Sequence, residues 1–202
     1  MPLPTDALSI LNVGKQLRYP NNLATDLLLK DYSFGPIAIG DGVAGVDVKV
    51  WEFSYIGNDV VCKPIDESLP STVLFTKPGI TELSGTFSQG GRAAVAYMAG
   101  GSAWIWWYHS TFSAYDHYEL IGCSSPKLRL DEPHLIATSI DKNDMILVYI
   151  KSNNLYYRQQ RSKFETEILL TDAVVGVGYR ISAMGMDNSN RLHIEIQLKA
   201  DS

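Results

Sequence analysis

The chain has 202 residues, 46% of them hydrophobic and 19% charged, a balance that supports a buried core and excludes general disorder. Its 17 basic and 22 acidic residues give a net charge of -5 without any basic run that would bind a phosphate backbone, so we expect no nucleic-acid partner. No apolar stretch approaches the roughly 20 residues of a membrane helix, and Met1 to Leu11 lacks a signal-peptide pattern, so we expect no membrane insertion.

Residues 1–30 form an amino-terminal segment to which we assign no repeat unit. Its apolar residues Leu8, Ile10, Leu11 and Val13 would be poorly placed in solvent. We therefore expect the segment to pack on a neighbouring subunit or to complete a terminal unit, within a single domain that spans residues 1–202.

Strand patterns dominate the rest of the chain. Residues 46–53 alternate so that Val46, Val48 and Val50 lie on one face of a half-buried strand, with Trp51 on the other. Further runs are rich in β-branched and aromatic residues and are bounded by Gly, Asn, Asp and Ser clusters. They predict strands at Ala93–Met98, Trp104–His109, Met145–Lys151, Asn154–Gln160, Glu165–Leu170 and Arg191–Leu198.

These runs repeat along the chain. The run Thr86–Tyr97 aligns without gaps with Thr138–Tyr149, at an offset of 138 minus 86, or 52 residues. A third copy begins at Met184, 46 residues after the start of the second. Each copy predicts a strand, a polar turn and a second strand, with hairpin turns at 89–92 and 141–144.

A weaker copy from Ile37 to Phe75, together with closing strands at Tyr115–Ile121 and Phe164–Leu170, gives a pattern of four strands at a pitch near 50 residues. This pattern is typical of four-stranded propeller blades. The sequence therefore predicts an all-β fold of repeated four-stranded antiparallel units in a small β-propeller-like arrangement. A β-sandwich built from the same hairpins remains the alternative.

No motif in the sequence indicates a nucleophile elbow, a phosphate-binding loop, a dinucleotide-binding loop or a zinc protease. The four histidines never occur at metal-ligand spacing, and Cys62 and Cys123 lack zinc spacing, so we expect both cysteines to be small, partly buried apolar residues. Asp116 and His117 are adjacent, and adjacent strand residues point to opposite faces, so they do not predict a base and its orienting partner. We expect no enzymatic activity, no cofactor and no metal site.

The aromatic run after residue 103 is the best candidate for partner contacts. Trp104 and Trp106 share one strand face, while Trp107 takes the other. Core packing is the commoner role for such strands, but exposed aromatic rings also stack on sugars or anchor a partner chain. The candidate partner contacts are Trp104, Trp106, Trp107, Tyr156 and Tyr157.

Three segments resemble small virion structural proteins of tailed bacteriophages, especially short-tailed ones. They are Val13–Pro20, Asp31–Ala38 and Ile146–Glu165. The resemblance implies a homo-oligomeric component of the virion tail, made in the host cytoplasm, that joins the tail tube or nozzle to fibres. It implies other tail proteins and copies of itself as partners, and it carries over no functional residues. Two alternatives stay open, a carbohydrate-binding propeller that recognises a host surface glycan and a remote glycosidase.

Overall fold

The computed structural model describes residues 37–40, 49–88, 92–109, 111–130, 145–171, 175, 177–186 and 192–198. These residues form β-strands and one short 3-10 helix, Gln160–Ser162, which confirms the all-β prediction. The strands are β1 (Ile37–Gly40), β2 (Lys49–Ile56), β3 (Asp59–Pro64), β4 (Thr72–Thr76), β5 (Ile80–Phe87), β6 (Ala93–Ala99), β7 (Ser102–His109), β8 (Ala114–Leu120), β9 (Cys123–Leu130), β10 (Met145–Lys151), β11 (Asn154–Gln159), β12 (Ile168–Thr171), β13 (Tyr179–Met186) and β14 (Leu192–Leu198).

The strands form antiparallel sheets in which neighbours along the chain are also hydrogen-bonded neighbours. Sheet 1 contains β1 to β4, sheet 2 contains β5 to β8 and sheet 3 contains β9 to β12, while β13 and β14 form sheet 4 in the described part of the chain. The first strands lie together, since β1 contacts β5, β5 contacts β9 and β9 contacts β13. Successive four-stranded meanders that meet along their first strands make a propeller-like arrangement.

The second strand of each sheet is the predicted repeat element. β2, β6, β10 and β14 occupy this position, which confirms the equivalence of the three runs aligned from the sequence. The weaker copy is also confirmed, because β1 to β4 extend from Ile37 to Thr76, and the closing strand expected at Tyr115–Ile121 is β8. The closing strand expected at Phe164–Leu170 is shorter than predicted: β12 begins at Ile168, because Lys163 and Phe164 take left-handed backbone conformations that interrupt an extended chain. The expectation for residues 1–30 lies outside the described residues.

The first strand of sheet 3 differs from the prediction. The repeat alignment placed a hairpin turn at 141–144, with the pairing strand just before it. Instead β10 pairs with β9, where Met145 faces Leu130, so the 14 residues from 131 to 144 separate the two strands. The sequence did not predict β9 because this strand contains Pro126 and has few β-branched or aromatic residues.

In the described residues the core consists of three apolar layers, one between each pair of neighbouring sheets. β6 and β10 are buried on both faces, which explains why their sequences are continuously apolar rather than alternating. Alternate residues of each strand enter the layers on either side. Val95, Ile146 and Val148 of the repeated second strands are buried, and Ile194 is half-buried against the third layer.

Sheets 1 and 2 approach closely where Phe53 of β2 lies over Gly85 of β5. A Cβ atom built on Gly85 would lie 2.2 Å from Cγ of Phe53, far inside normal contact distance. Phe53 is fully buried, and its ring packs on Phe87 with ring centroids 5.2 Å apart. Position 85 therefore requires a glycine because no side chain fits beneath the phenyl ring.

Candidate functional site

Two of the five predicted contact residues are core residues. Trp106 enters the layer between sheets 1 and 2, and Trp107 enters the layer between sheets 2 and 3. Only 6% and 5% of their surfaces are exposed. The two faces of β7 separate as expected, but both face protein. Because both indoles are enclosed within the chain, contact with a partner is left to the other three residues.

Trp104, Tyr156 and Tyr157 are half-buried. The ammonium of Lys77 lies 3.9 Å from the centroid of the Trp104 ring, and Tyr156 stacks on Tyr149 with centroids 6.3 Å apart. Tyr157 packs against the apolar layer between sheets 3 and 4. Each ring already contacts another part of the protein. It therefore has less free surface for a partner than an uncovered ring would have.

An ionic cluster lies on sheet 3. Arg158 donates through Nε to the Tyr149 hydroxyl at 2.7 Å and through Nη2 to Oε2 of Glu167 at 3.1 Å, while Lys151 donates to Oε1 of Glu167 at 2.7 Å. Nη1 of Arg158 also reaches the Tyr118 hydroxyl of sheet 2 at 3.3 Å. Burial raises the pKa of Glu167, but hydrogen bonds from Lys151, Tyr149 and Arg158 outweigh it and hold the pKa at about 2. These groups satisfy one another, so the cluster is a structural link between sheets and not a general base.

Asp116 and His117 lie on β8 and do not form a catalytic pair. Oδ1 of Asp116 accepts the backbone N–H of His117 at 2.8 Å, whereas Nδ1 of the imidazole lies 2.9 Å from the Tyr97 hydroxyl. Burial lowers the pKa of His117 and Lys77 lowers it further, while Asp116 opposes the shift. The carboxylate therefore does not orient the imidazole as a base.

The turns between second and third strands lie at the same end of the molecule as the connections between sheets. Backbone hydrogen bonds join these turns to the connections between sheets. The N–H of Lys77, after β4, donates to the carbonyl of Asn58 in the β2–β3 turn at 2.7 Å. The N–H of Val175, after β12, donates to the carbonyl of Asn153 in the β10–β11 turn, also at 2.7 Å. In antiparallel meanders the same end also carries the last residues of every second and fourth strand.

Four strongly exposed aliphatic residues lie at this end, which we call the apolar end. Ile56 closes β2, Ile121 follows β8, Val177 precedes β13 and Leu198 closes β14. Their exposed fractions are 70%, 80%, 84% and 63%. Among the other described large hydrophobic residues only Phe112 exceeds 60%, and it lies in the β7–β8 turn at the opposite end. Single exposed apolar residues are ordinary, whereas this end carries four of the five most exposed large hydrophobic residues in the described part of the chain.

A cavity of about 360 Å³ lies toward the apolar end. It is lined by residues 53–55 from the end of β2, residues 81–83 from the start of β5, residues 180–182 from the start of β13, Gln197 from the end of β14 and Lys127 from β9. The volume is at the lower limit of typical small-ligand sites, which suits one compact chemical group.

A β-bulge occurs in each of the first strands β5, β9 and β13 beside this cavity. Each of these strands has one extra residue relative to the second strand with which it pairs. The extra residue is Thr81 in β5, one of Ser125 and Pro126 in β9, and Ser182 in β13. Ser125 takes a left-handed backbone conformation with φ of 52°. Bulges turn side chains away from the regular alternation and are common next to functional sites. Here they direct residues of three sheets toward one cavity.

Three charged side chains line the cavity. Lys127 and Arg180 are cationic and Glu82 is anionic, so the lining carries a net charge of +1 in a chain whose net charge is -5. Ser125 donates through Oγ to Oε2 of Glu82 at 3.2 Å and accepts the N–H of Ile181 at 2.9 Å, which ties sheets 2, 3 and 4 together. Burial lowers the pKa of Lys127, Arg180 lowers it further and Glu82 opposes the shift. Neither cation has a hydrogen bond or ion pair with a described residue.

Within the described ranges, no group of three or more His, Cys, Asp or Glu side chains is placed to hold a metal ion. In the same residues there is no helix with the length and apolarity needed to cross a membrane. Cys62 and Cys123 are free and buried, which confirms the expectation for both. Burial raises the pKa of each thiol to about 11, so both stay protonated at neutral pH.

The sequence alone does not predict the cavity. Its charged residues stand singly in different strands, and Lys127 and Arg180 are 53 positions apart, so no local spacing connects them. Pro126 is the one local signal, because a proline inside a strand indicates an edge or a bulge.

Comparisons with known proteins identify no family for this chain. A scan against protein-family models and a search of curated proteins both found no match.

Proposed function

We propose that the chain is a non-enzymatic structural protein of a bacteriophage tail, present in several copies, that acts as an adaptor between the tail tube or nozzle and fibres. The apolar end is the observation that carries this proposal. Covering exposed aliphatic surface removes it from water, which favours association. Four aliphatic residues at one end therefore favour docking of another protein there, and the resemblance of three segments to virion proteins is the reason to propose a tail protein as that partner.

Two of the connections at the apolar end are short. Two residues, 121 and 122, join β8 to β9, and three residues, 77–79, join β4 to β5. A surface held by short connections loses little conformational freedom when a partner covers it. Such a surface also suits a symmetric assembly, in which the same interface recurs in every copy.

Recognition of a host glycan through exposed aromatic rings has less support from the geometry. Tyr115 covers the Trp106 ring in a stacked arrangement with centroids 4.1 Å apart, and Lys77 covers Trp104. Sugars bind best to open aromatic faces, and these indole faces already have neighbours in the chain.

The proposal is tested by substitutions at the apolar end that leave the fold intact. We expect Ile121→Ser combined with Val177→Ser to reduce co-sedimentation with tail particles at least tenfold. Both residues are exposed, so the free energy of unfolding should change by no more than about 0.5 kcal/mol per site. Particle association is measured by quantitative mass spectrometry of sedimented particles, and stability by thermal melting.

Phe112→Ser is the matched control, because Phe112 is similarly exposed but lies at the opposite end. This variant should associate with particles as the unchanged protein does. Equal losses for Phe112→Ser and the double variant would contradict a specific role for the apolar end. A folded monomer with polysaccharide hydrolase turnover and no particle association would refute the proposed function altogether.

A further inference from the structure

The lining of the cavity extends to residues next to the apolar end. Tyr55 and Gln197 line the cavity, and the next residues along their strands, Ile56 and Leu198, belong to the apolar end. Successive strand residues are only about 3.3 Å apart. A partner that covers the apolar end therefore lies within one or two residues of this part of the cavity lining.

If such a partner also covers the cavity, leaving a charge in the cavity without an ion-pair partner costs free energy. Lys127 is already half-buried and lacks an ion-pair partner among the described residues, and Arg180 lies in the same lining. Removing the remaining water from an unpaired cation carries a large desolvation penalty unless an anion replaces the water. Glu82 supplies one negative charge for two positive ones, so one further anion makes the enclosed cavity neutral.

We propose that the cavity receives an acidic side chain, Asp or Glu, from the protein that covers the apolar end, with Lys127 and Arg180 as its ion-pair donors. The inference rests on the proposed assembly role, because that role supplies the partner. A guanidinium and an ammonium are the side-chain groups that bind carboxylates most strongly. The aliphatic residues around the mouth favour a protein surface over a free sugar acid, which would leave them uncovered.

The direct test measures binding of two uncharged-terminus peptides to the full chain by NMR titration at low salt. The probes are acetyl-Leu-Glu-Leu-amide and acetyl-Leu-Gln-Leu-amide, which differ only in the charge of the central side chain. We expect the Glu peptide to bind at least tenfold more tightly than the Gln peptide. Lys127→Met and Arg180→Gln should each remove most of that difference.

Lys63→Met is the control variant, since Lys63 lies on β3 outside the cavity lining and forms surface ion pairs with Glu52 and Glu67. It should keep the full preference for the Glu peptide. Lys127→Met should also melt at the same temperature as the unchanged chain or higher, because it removes a half-buried cation that has no ion pair with a described residue. Equal binding of the two peptides, or a clear loss of thermal stability in Lys127→Met, would overturn the inference. Tighter binding of D-glucuronate than of the Glu peptide would also overturn it, in favour of a sugar-acid site.

Particle association separates failure of this inference from failure of the proposed function. If the Ile121→Ser and Val177→Ser double variant loses association while Lys127→Met associates normally, the assembly role is supported and binding of an acidic side chain in the cavity is refuted. If the double variant associates normally but the protein still binds the Glu peptide more tightly than the Gln peptide, the proposed interface is refuted and the carboxylate site is supported. We expect both variants to lose association.

Discussion

Gly85→Ala should destabilise the protein by a steric clash between sheets 1 and 2. The new methyl group would lie 2.2 Å from Cγ of Phe53, about 1.2 Å inside an ordinary contact of 3.4 Å. Phe53 is fully buried against Phe87, so its ring has no free space to enter. Overpacking of this kind costs about 1–3 kcal/mol.

An opposing effect reduces this cost. Gly85 does not have a positive φ, so alanine adopts its backbone conformation and restricts the unfolded chain, which stabilises by about 0.4–1 kcal/mol. The new methyl group would also lie 2.5 Å from both Cδ atoms of Phe53, so the overpacking cost should fall in the upper part of its range, about 2–3 kcal/mol, and we expect a net loss of about 1–2.5 kcal/mol in the free energy of unfolding. Urea unfolding followed by tryptophan fluorescence measures it, with Phe53→Leu as the second arm of a double-mutant cycle.

The cycle isolates the contact between the two side chains. In the Phe53→Leu background the smaller side chain leaves room for the methyl group, so Gly85→Ala should cost less than half of its value in the unchanged chain. A neutral or stabilising effect of Gly85→Ala alone would refute the packing of sheet 1 on sheet 2 described above.

Other predictions follow from single groups. Glu167 has a pKa of about 2 in the folded state against about 4.3 in an unfolded chain, so its stabilising contribution is present above about pH 4.3 and is lost as pH falls toward 2. Thermal melts between about pH 4.3 and about pH 2 should show a falling melting temperature, and Glu167→Gln should make the melting temperature depend less on pH. An unchanged pH dependence in that variant would contradict the ionic cluster. Cys62 and Cys123 should react with a disulfide reagent only when urea unfolds the chain, because both thiols are buried and protonated; fast reaction in buffer would contradict their burial. Ser125→Ala should cost about 1–3 kcal/mol in urea unfolding, because it removes the acceptor of the buried Ile181 N–H, and no measurable cost would contradict that link between sheets 3 and 4.

The repeat architecture was predictable where a strand has two buried faces. β6 and β10 pack against sheets on both sides, so their sequences are continuously apolar and align with each other directly. β9 was not predictable in the same way. Its bulge at Ser125–Pro126 lets a strand with polar residues reach both neighbouring sheets, and that geometry leaves little trace in hydrophobic periodicity.

The candidate site was less predictable than the fold. The alternation of β7 correctly separates Trp106 from Trp107, but alternation does not tell whether a face meets solvent or another sheet. The charged cavity lining is assembled from different sheets, so Lys127 and Arg180 come together only through the tertiary fold. The apolar end likewise appears only when the connections of several sheets are placed at one end.

Hydrogen–deuterium exchange of the free chain and of the chain within tail particles tests the central claim most directly. If the apolar end is the docking surface, assembly should slow exchange around residues 56–59, 120–123 and 177–180, where backbone amides at this end become covered. Exchange around residues 109–113, at the opposite end, should stay unchanged. Protection confined to 109–113, or no protection at any of these segments, would contradict the account.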